Sequence, residues 1–326
     1  MSNIDDPLVS IILPNHNHAE YLPKSLEALV QQTWEKFEVL VVDDASTDNS
    51  CGVIKSWCER DNRFRLIQLT QNLGINAAVM YGLKRTSGSY LYFAAADDFI
   101  FPNFFEKSVS ALRNNPDAAF CFSDPSELSL NKEINKFPLH LSEEPRSYTK
   151  EQFADLLRWN FFNISANTIL YRRSSFEDAG GYLEDLSWLS DWFASTVASS
   201  RSSVCYIPEC LTRLRIREDS FSAMVLNNPA QQRELIKRVF KYLQTEKHKD
   251  VRDFVRSSAL LPEYRLRTIW WLLIDGNGRY IITSRLIRRI LWRGTWYYVR
   301  NLVPPWVRRS LRRRSSFRAV QKLGSR

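Results

Sequence analysis

Glycine is scarce in this chain, 10 of 326 residues, which argues against flexible linkers and small-residue repeats, and no internal repeat is visible. Cysteine is thinner still. Cys51, Cys58, Cys121, Cys205 and Cys210 are scattered, with none in a CxxC pair. An odd, unpatterned set argues against a disulfide framework and predicts reduced thiols, mostly buried. His16 and His18 are the only close histidines, and no zinc-type cluster surrounds them. Long hydrophobic runs are missing. A stretch such as Ile269 to Ile274 falls far short of the roughly 20 residues that cross a bilayer. The acidic segment Met1 to Pro7 lacks the basic-then-apolar order of a secretory leader. The C-terminal region lacks acids: from Arg279 onward there are fourteen Lys/Arg and no Asp/Glu, whereas residues 1–278 carry 31 basic and 36 acidic residues. The basic excess therefore belongs to the tail.

What remains is ordinary globular material, 44% hydrophobic and 25% charged, enough for one large domain with an appendage. Val9 to Leu13 is a short apolar run stopped by Pro14 and reads as a strand buried on both faces. Ala19 to Gln32 has apolar residues at Leu22, Leu26, Leu29 and Val30, a helical spacing. Phe37 to Val42 is a second strand, ending at Asp43-Asp44. Ser46 to Ser50 supplies caps for a helix through Trp57. Phe64 to Leu69, Tyr90 to Ala94 and Ala118 to Ser123 read as further strands, with helices over Gly74 to Lys84 and from Pro102 to Arg113. This alternation predicts an α/β fold, a mostly parallel sheet with helices on both faces. Residues 125–148 read as a loop. Ser165 to Tyr171, Val204 to Ile207 and Leu211 to Ile216 read as strands, Gly180-Gly181 as a turn, and Trp188 to Ser199 as a helix starting near Ser187 or Ser190. From about Pro229 the spacing is helical: 233–243, 251–261, 266–274, 279–292 and 305–313.

Ligands of parallel sheets bind beyond the carboxyl ends of the strands. Three polar clusters fall at such ends: Pro14-Asn15-His16-Asn17, Asp43-Asp44 and Asp97-Asp98. Together with Tyr21-Leu-Pro-Lys-Ser-Leu26, Gln32-Thr33 and Phe37 to Asp48, these motifs make residues 8–222 resemble the family 2 glycosyltransferases of the GT-A fold. The resemblance implies a catalytic domain over 1–225, a helical, basic extension over 226–326, and an inverting transferase that moves a sugar from a nucleotide-diphosphate donor, UDP- or dTDP-linked.

By that resemblance Asp44 accepts the imide N–H of a uracil-like base, as an acceptor-only carboxylate can. The alternative is that Asp43 and Asp44 cap the next helix, a job for which Ser46-Thr47-Asp48 competes, and Asp43 equally suits a structural role. Asp98 corresponds to the metal-binding acid, holding Mg²⁺ or Mn²⁺ with diphosphate oxygens, and Asp97 to the acid facing the ribose or donor sugar. Ala95 departs from the commoner pattern, which has Asp there. The alternative is a pair of solvated strand-end acids. Asp191, in Trp188-Leu-Ser-Asp-Trp192, corresponds to the base that deprotonates the acceptor hydroxyl. Ser190 stands where Glu is usual, Glu184 and Asp185 compete for the role, and the alternative is a helix N-terminal acid. Arg215 and Arg217, with Ser220 and Ser222, match the segment after the acceptor region. Many members have His at position 217, and an arginine there suits a diphosphate clamp or a surface ion pair. Pro14, Asn15, Asn17 and Asn72 complete the nucleotide-sugar set, with His16 and His18 beside the nucleotide, and Asn167 and Arg172-Arg173 follow the acceptor strand.

The tail interleaves arginine with Trp292, Trp296, Tyr297, Tyr298 and Trp306. That pattern fits peripheral contact with an anionic membrane, where lipid-linked saccharide acceptors reside, and no nucleic-acid motif accompanies it. The expected location is cytoplasmic, peripheral on the cytoplasmic face of the inner membrane. The rival readings are a sugar-nucleotide-binding protein without turnover and a nucleic-acid binder acting through the tail.

Overall fold

A computed structural model of the chain describes residues 6–128, 134–160, 162, 164–217, 228–261, 271, 278–284, 286–288 and 291. The expected helix at 305–313, nearly all of that at 266–274, most of the basic tail, Ser220 and Ser222 lie outside the described residues, whereas the expected helix at 279–292 begins with a 3₁₀ turn over Arg279–Ile281.

Ten strands form one sheet: β1 (Val9–Asn15), β2 (Phe37–Asp43), β3 (Phe64–Gln68), β4 (Tyr90–Phe93), β5 (Phe99–Ile100), β6 (Ala118–Leu128), β7 (Ile134–Lys136), β8 (Arg146–Tyr148), β9 (Ile169–Arg172) and β10 (Ser203–Arg215). The order is β3-β2-β1-β4-β9-β6-β10-β5, with β7 on β6 and β8 on β10. β1 runs parallel to β2 and β4, and β2 to β3, so the expected α/β half is present. β9 enters antiparallel between β4 and β6, which makes the sheet mixed. Successive side chains point to opposite faces. Ile11 and Tyr92 thus lie in one apolar cluster and Ile12 and Phe93 in the other. Helices α1 (Leu22–Val30), α2 (Ser50–Arg60), α3 (Ile75–Leu83), α4 (Phe104–Asn114), α5 (Lys150–Trp159), α6 (Arg173–Asp178) and α7 (Ser190–Arg201) cover the two faces. α8 (Pro229–Gln244) and α9 (Lys249–Ser258) follow. Leu235, Ile236, Val239, Val251 and Val255 are buried in the same cluster as Phe93 and Phe120. The first part of the C-terminal extension therefore continues the core of the body.

Several expected boundaries move. Residues 125–148 contain the end of β6, β7 and β8. These segments are held by backbone pairing at sheet edges, and β7 is fully exposed, so no apolar alternation announces it. The two strands expected at 204–207 and 211–216 are the single β10, which shifts register around Pro208 and Glu209. A bulge accommodates a proline that a regular ladder would reject. The expected strand at 165–171 is a 3₁₀ turn over Ala166–Thr168 and then β9. A second 3₁₀ turn, Glu184–Leu189, precedes α7. All five cysteines are free, with Cys121 and Cys205 buried and the other three partly exposed.

Candidate functional site

The first wall forms where β1 and β2 end. Asn15 donates through Nδ2 to Asp43 Oδ1 at 2.8 Å and to Ser46 Oγ at 3.2 Å. Asp43 also accepts from the Ser46 backbone N–H, the Ser46 hydroxyl and the Cys51 thiol. Burial pushes its pKa up, but these donors outweigh it and hold the carboxyl below its usual range. Asp43 is thus committed to building the turn. Asn17 adopts a left-handed conformation, φ 56°, and its Oδ1 accepts from the backbone N–H groups of Thr47 (2.7 Å) and Asp48 (3.3 Å). Asparagine tolerates this region better than most residues. Pro14 precedes them, half-buried, in register with Val42.

Asp44 is 4% exposed. Its two oxygens accept from the backbone N–H groups of Leu73 (2.7 Å) and Gly74 (2.8 Å). Asn72 Oδ1 accepts from the same Gly74 N–H at 3.0 Å. Gly74 has φ 87° and leads into α3, a conformation that suits a residue without Cβ. Asp44 therefore ties the β3–α3 loop to the end of β2. Each carboxylate oxygen has a second lone pair, so a base N–H can still be accepted.

The second wall forms where β4 and β10 end. Asp98 is 7% exposed; Oδ1 accepts from the Arg215 backbone N–H at 3.1 Å and Oδ2 from Asn167 Nδ2 at 2.9 Å. Burial and the neighbouring charge of Asp97 push its pKa up to about 7, against the lowering effect of those two donors. Arg217 pairs with Asp97 Oδ2 at 3.2 Å and donates to His18 Nε2 at 3.0 Å. Arg215 Nε reaches the Asp97 carbonyl at 3.3 Å. Both guanidinium groups lie over the Tyr21 ring, 5.2 Å from its centroid for Arg215 and 4.6 Å for Arg217. The two walls meet through the β1–α1 loop: Asn17 and Ala19 contact residues 46–48, while His18 and Tyr21 contact Arg217.

Asp191 lies in the first turn of α7, partly exposed. Its Oδ1 accepts from the Trp192 backbone N–H at 2.6 Å. Burial raises its pKa to about 6. The turn before it is bound at several points. Asn76 Nδ2 donates to Ser187 O at 2.8 Å and Leu183 O at 3.4 Å, and Ser190 Oγ donates to Leu183 O at 2.9 Å. Ser187 has φ 50° and ψ −127°, a region that favours glycine and costs another residue about 1–3 kcal/mol. Asp185 is engaged on the outer side by the Tyr242 hydroxyl at 3.0 Å, and its carbonyl by Arg238.

Pro14, Asn15, Asn17, Asp44 and Asn72 thus gather on one wall, and Asp97, Asp98, Arg215 and Arg217 on the other. Asn167 joins the second wall as a ligand of Asp98. Arg172 and Arg173 do not join it. Their guanidinium groups bind the carbonyls of Leu112, Asn115 and Ala118, and of Gly88, at the opposite end of the sheet, because β9 runs antiparallel. Sequence reasoning missed Asn76, whose partner lies 111 positions away. It sits in the first turn of α3, just after a loop tied to Asp44, the one local hint of a role.

A family model described as glycosyl transferase family 2 matches residues 10–180, more than half of the chain. The chain belongs to that family. An uncharacterized glycosyltransferase of Haemophilus influenzae is 29% identical to this family 2 glycosyltransferase over 175 residues, covering 52% of this chain and 64% of its own length. A second from the same organism is 25% identical over 297 residues, covering 86% and 90%. Residues 1–349 of S. aureus TarS in complex with UDP-GlcNAc superpose with TM-score 0.63 at 18% identity, covering 85% of this chain and 82% of that one. The mannosyltransferase PcManGT of Pyrobaculum calidifontis, in complex with GDP-Man and Mn²⁺, superposes with TM-score 0.54 at 14% identity, covering 98% and 87%. The fold of this family 2 glycosyltransferase is accordingly a GT-A-like, mostly parallel sheet with additional C-terminal helices.

Proposed function

We propose that this family 2 glycosyltransferase moves a sugar from a UDP- or dTDP-linked donor to a hydroxyl of a saccharide or lipid-linked acceptor, with inversion at the anomeric carbon. One observation carries the reading. A buried carboxylate, Asp98, accepts the Arg215 backbone N–H; the guanidinium groups of Arg215 and Arg217 reach the adjacent Asp97 and lie over Tyr21, and the β1–α1 loop joins this cluster to the Asp44 wall. That is a place for an anionic diphosphate between a base-binding loop and a cationic clamp.

In this reading Asp44 accepts the base N–H, and Arg215 and Arg217 bind diphosphate oxygens. Among the described residues no three His, Cys, Asp or Glu side chains converge into a complete metal cage. Hard carboxylate oxygens at Asp98, with Asp97 adjacent, nevertheless suit Mg²⁺ or Mn²⁺, which is commonly held by one or two carboxylates plus substrate phosphates. When bound, the cation supplies positive charge to the departing diphosphate. Asp191 takes the proton of the acceptor hydroxyl. The acceptor oxygen forms its bond to the anomeric carbon as the bond to the β-phosphate oxygen breaks, and the nucleoside diphosphate leaves with the electron pair. A base so placed contributes typically ~10²–10⁴-fold. Trp188 and Trp192 flank Asp191, and their buried indole N–H groups have no partner among the described residues. Both rings are only partly buried against the core, so their remaining faces offer apolar surface to an acceptor sugar. The basic, aromatic tail supports contact with the anionic cytoplasmic membrane face, where the products are surface glycans.

The test is a screen of sugar nucleotides for thermal stabilisation, with and without Mn²⁺, followed by transfer assays and determination of the product's anomeric configuration by NMR. Stabilisation grows as RT ln(1 + [L]/Kd). A retained configuration overturns the displacement mechanism. Donor binding without transfer to any saccharide or lipid-linked acceptor overturns the enzymatic reading.

A further inference from the structure

The turn that precedes Asp191 is held from α3, the helix that follows the loop bound to Asp44. Asn76 and Met80 are four residues apart, so they share one face of that helix. Both contact the 181–187 segment. Asn76 Nδ2 donates to Ser187 O at 2.8 Å and Leu183 O at 3.4 Å, and Met80 Sδ accepts from the Tyr182 backbone N–H at 3.4 Å. The carbonyl that Asn76 grips belongs to Ser187, the residue forced to φ 50°, ψ −127°. A backbone held in that region persists only when its surroundings over-determine it. Three and two residues before Asn76, Leu73 and Gly74 donate their N–H groups to Asp44. One short segment, 73–76, therefore touches the seat assigned to the nucleotide base at one end and the turn of the assigned catalytic base at the other.

We propose that Asn76 is a positioning residue: its side-chain amide holds the Ser187 turn in its glycine-like conformation and so aims Asp191 at the acceptor, linking that aim to the state of the Asp44 loop. The inference rests on the reading of Asp191 as the base and Asp44 as the nucleotide seat. The chemistry of the grip is specific, because only a donor satisfies two carbonyl oxygens. Asn76→Asp is nearly isosteric but presents acceptors to both carbonyls, so it harms the turn at least as much as Asn76→Ala. Ser187→Gly acts in the opposite sense. Glycine adopts this conformation unaided, so it restores part of what Asn76→Ala loses.

The experiment uses the full chain. Hydrogen exchange of the 183–191 peptide is measured without ligand and with UDP or dTDP. kcat and the donor KM are measured as functions of pH. Asn76→Ala is expected to speed ligand-free exchange in that peptide about tenfold, to lower kcat about 10- to 100-fold with donor KM within about threefold, and to lower the acid-limb pKa as Asp191 becomes more solvated. Asn76→Ala/Ser187→Gly recovers at least a third of the lost kcat on a logarithmic scale. Unchanged exchange and kcat in Asn76→Ala overturns the proposal, as does a double variant no better than the single one when both melt within a few degrees of the wild type. Failure of the underlying reading shows differently. In that case neither UDP nor dTDP binds the wild type, or Asp191→Asn keeps full activity, while the ligand-free exchange comparison still decides whether Asn76 holds the turn.

Discussion

Asn167 donates its side-chain amide to Asp98 Oδ2 at 2.9 Å, and nothing about that orientation is left free. Its Oδ1 accepts from the Ser165 hydroxyl at 2.8 Å, so Nδ2 must face Asp98. Its backbone carbonyl accepts from the Tyr92 hydroxyl at 3.1 Å. A carboxylate fixed by such a partner presents its remaining lone pairs in one direction, and removal of a supporting partner typically costs 10–100-fold in metal affinity or activity. Asn167→Ala is therefore expected to weaken activation by Mn²⁺ about 10-fold or more. It also leaves a buried acceptor short of a donor, at about 1–3 kcal/mol of stability. Asn167→Asp is expected to be worse, since it brings a third carboxylate against Asp97 and Asp98. Mn²⁺ titrations of initial rate, beside melting curves, check both; an unchanged Mn²⁺ dependence in either variant removes Asn167 from the site.

The strands that carry the site were legible, and the contacts that complete it were not. β1, β2 and β4 are short apolar runs buried on both faces, and each stops where polar residues gather at its carboxyl end. Asp44 and Asp98 could thus be located beyond the ends of β2 and β4, the strands on either side of β1, from the apolar runs that precede them. Asn167 and Asn76 could not be assigned their partners that way, because these lie 69 and 111 positions away and an isolated asparagine has no periodicity. The antiparallel insertion of β9 defeated the same reasoning. Direction is not encoded in an apolar run, so Arg172 and Arg173 fall at the far end of the sheet. Pro208 split β10 in the sequence, whereas a register shift bridges it in the structure.

Asp191 sets the expected pH dependence. Its conjugate acid is favoured by burial, with a pKa of about 6, and only the ionised form accepts a proton from the acceptor. With Mn²⁺ saturating, so that the proposed metal ligand Asp98 stays ionised despite its own raised pKa of about 7, kcat/KM should therefore rise with pH through about 6 and level off above it, with an acid-limb slope of one. Asp191→Asn should lower kcat by roughly 10²–10⁴-fold and abolish that limb. The same shift has an opposite consequence for stability. Between its unfolded value near 3.8 and about 6 the folded protein holds the extra proton, so this group's contribution to stability falls as pH rises through the window. Asp191→Asn should then melt no lower than the wild type at pH 7.5. A clearly lower melting temperature would show the carboxylate to be structurally required.

Asp44 combines a structural task with its proposed task at the nucleotide, and one substitution separates them. Its oxygens accept the backbone N–H groups of Leu73 and Gly74. An asparagine has one acceptor oxygen, so its NH₂ must face one of these N–H groups. Asp44→Asn should cost about 1–3 kcal/mol of stability, lowering the melting temperature by a few degrees, and should weaken UDP binding. Near-saturating UDP should then stabilise the variant less than the wild type. If melting is unchanged and only UDP affinity drops, Asp44 serves the ligand alone.

Arg217 offers the sharpest test of how the cleft treats charge. It pairs with Asp97 at 3.2 Å, and both side chains are largely shielded from solvent. Arg217→Ala does more than remove a proposed phosphate ligand. It leaves the Asp97 carboxylate without this guanidinium where the diphosphate is proposed to bind, so repulsion adds to the lost contact. A charge-assisted hydrogen bond is worth about 1.5–3 kcal/mol, or roughly 10- to 100-fold in donor affinity. Arg217→Ala should therefore raise the donor Kd at least that much. Arg217→Lys should recover only part, because an ammonium group lacks the planar fork. Asp97→Asn in the Arg217→Ala background removes the repulsion, so the two substitutions together should cost less than the sum of their separate effects, by about 0.5–3 kcal/mol for groups in contact. Isothermal titration of UDP across the four proteins of this cycle measures the difference. Strict additivity would mean that the pair does not act as a unit toward the nucleotide.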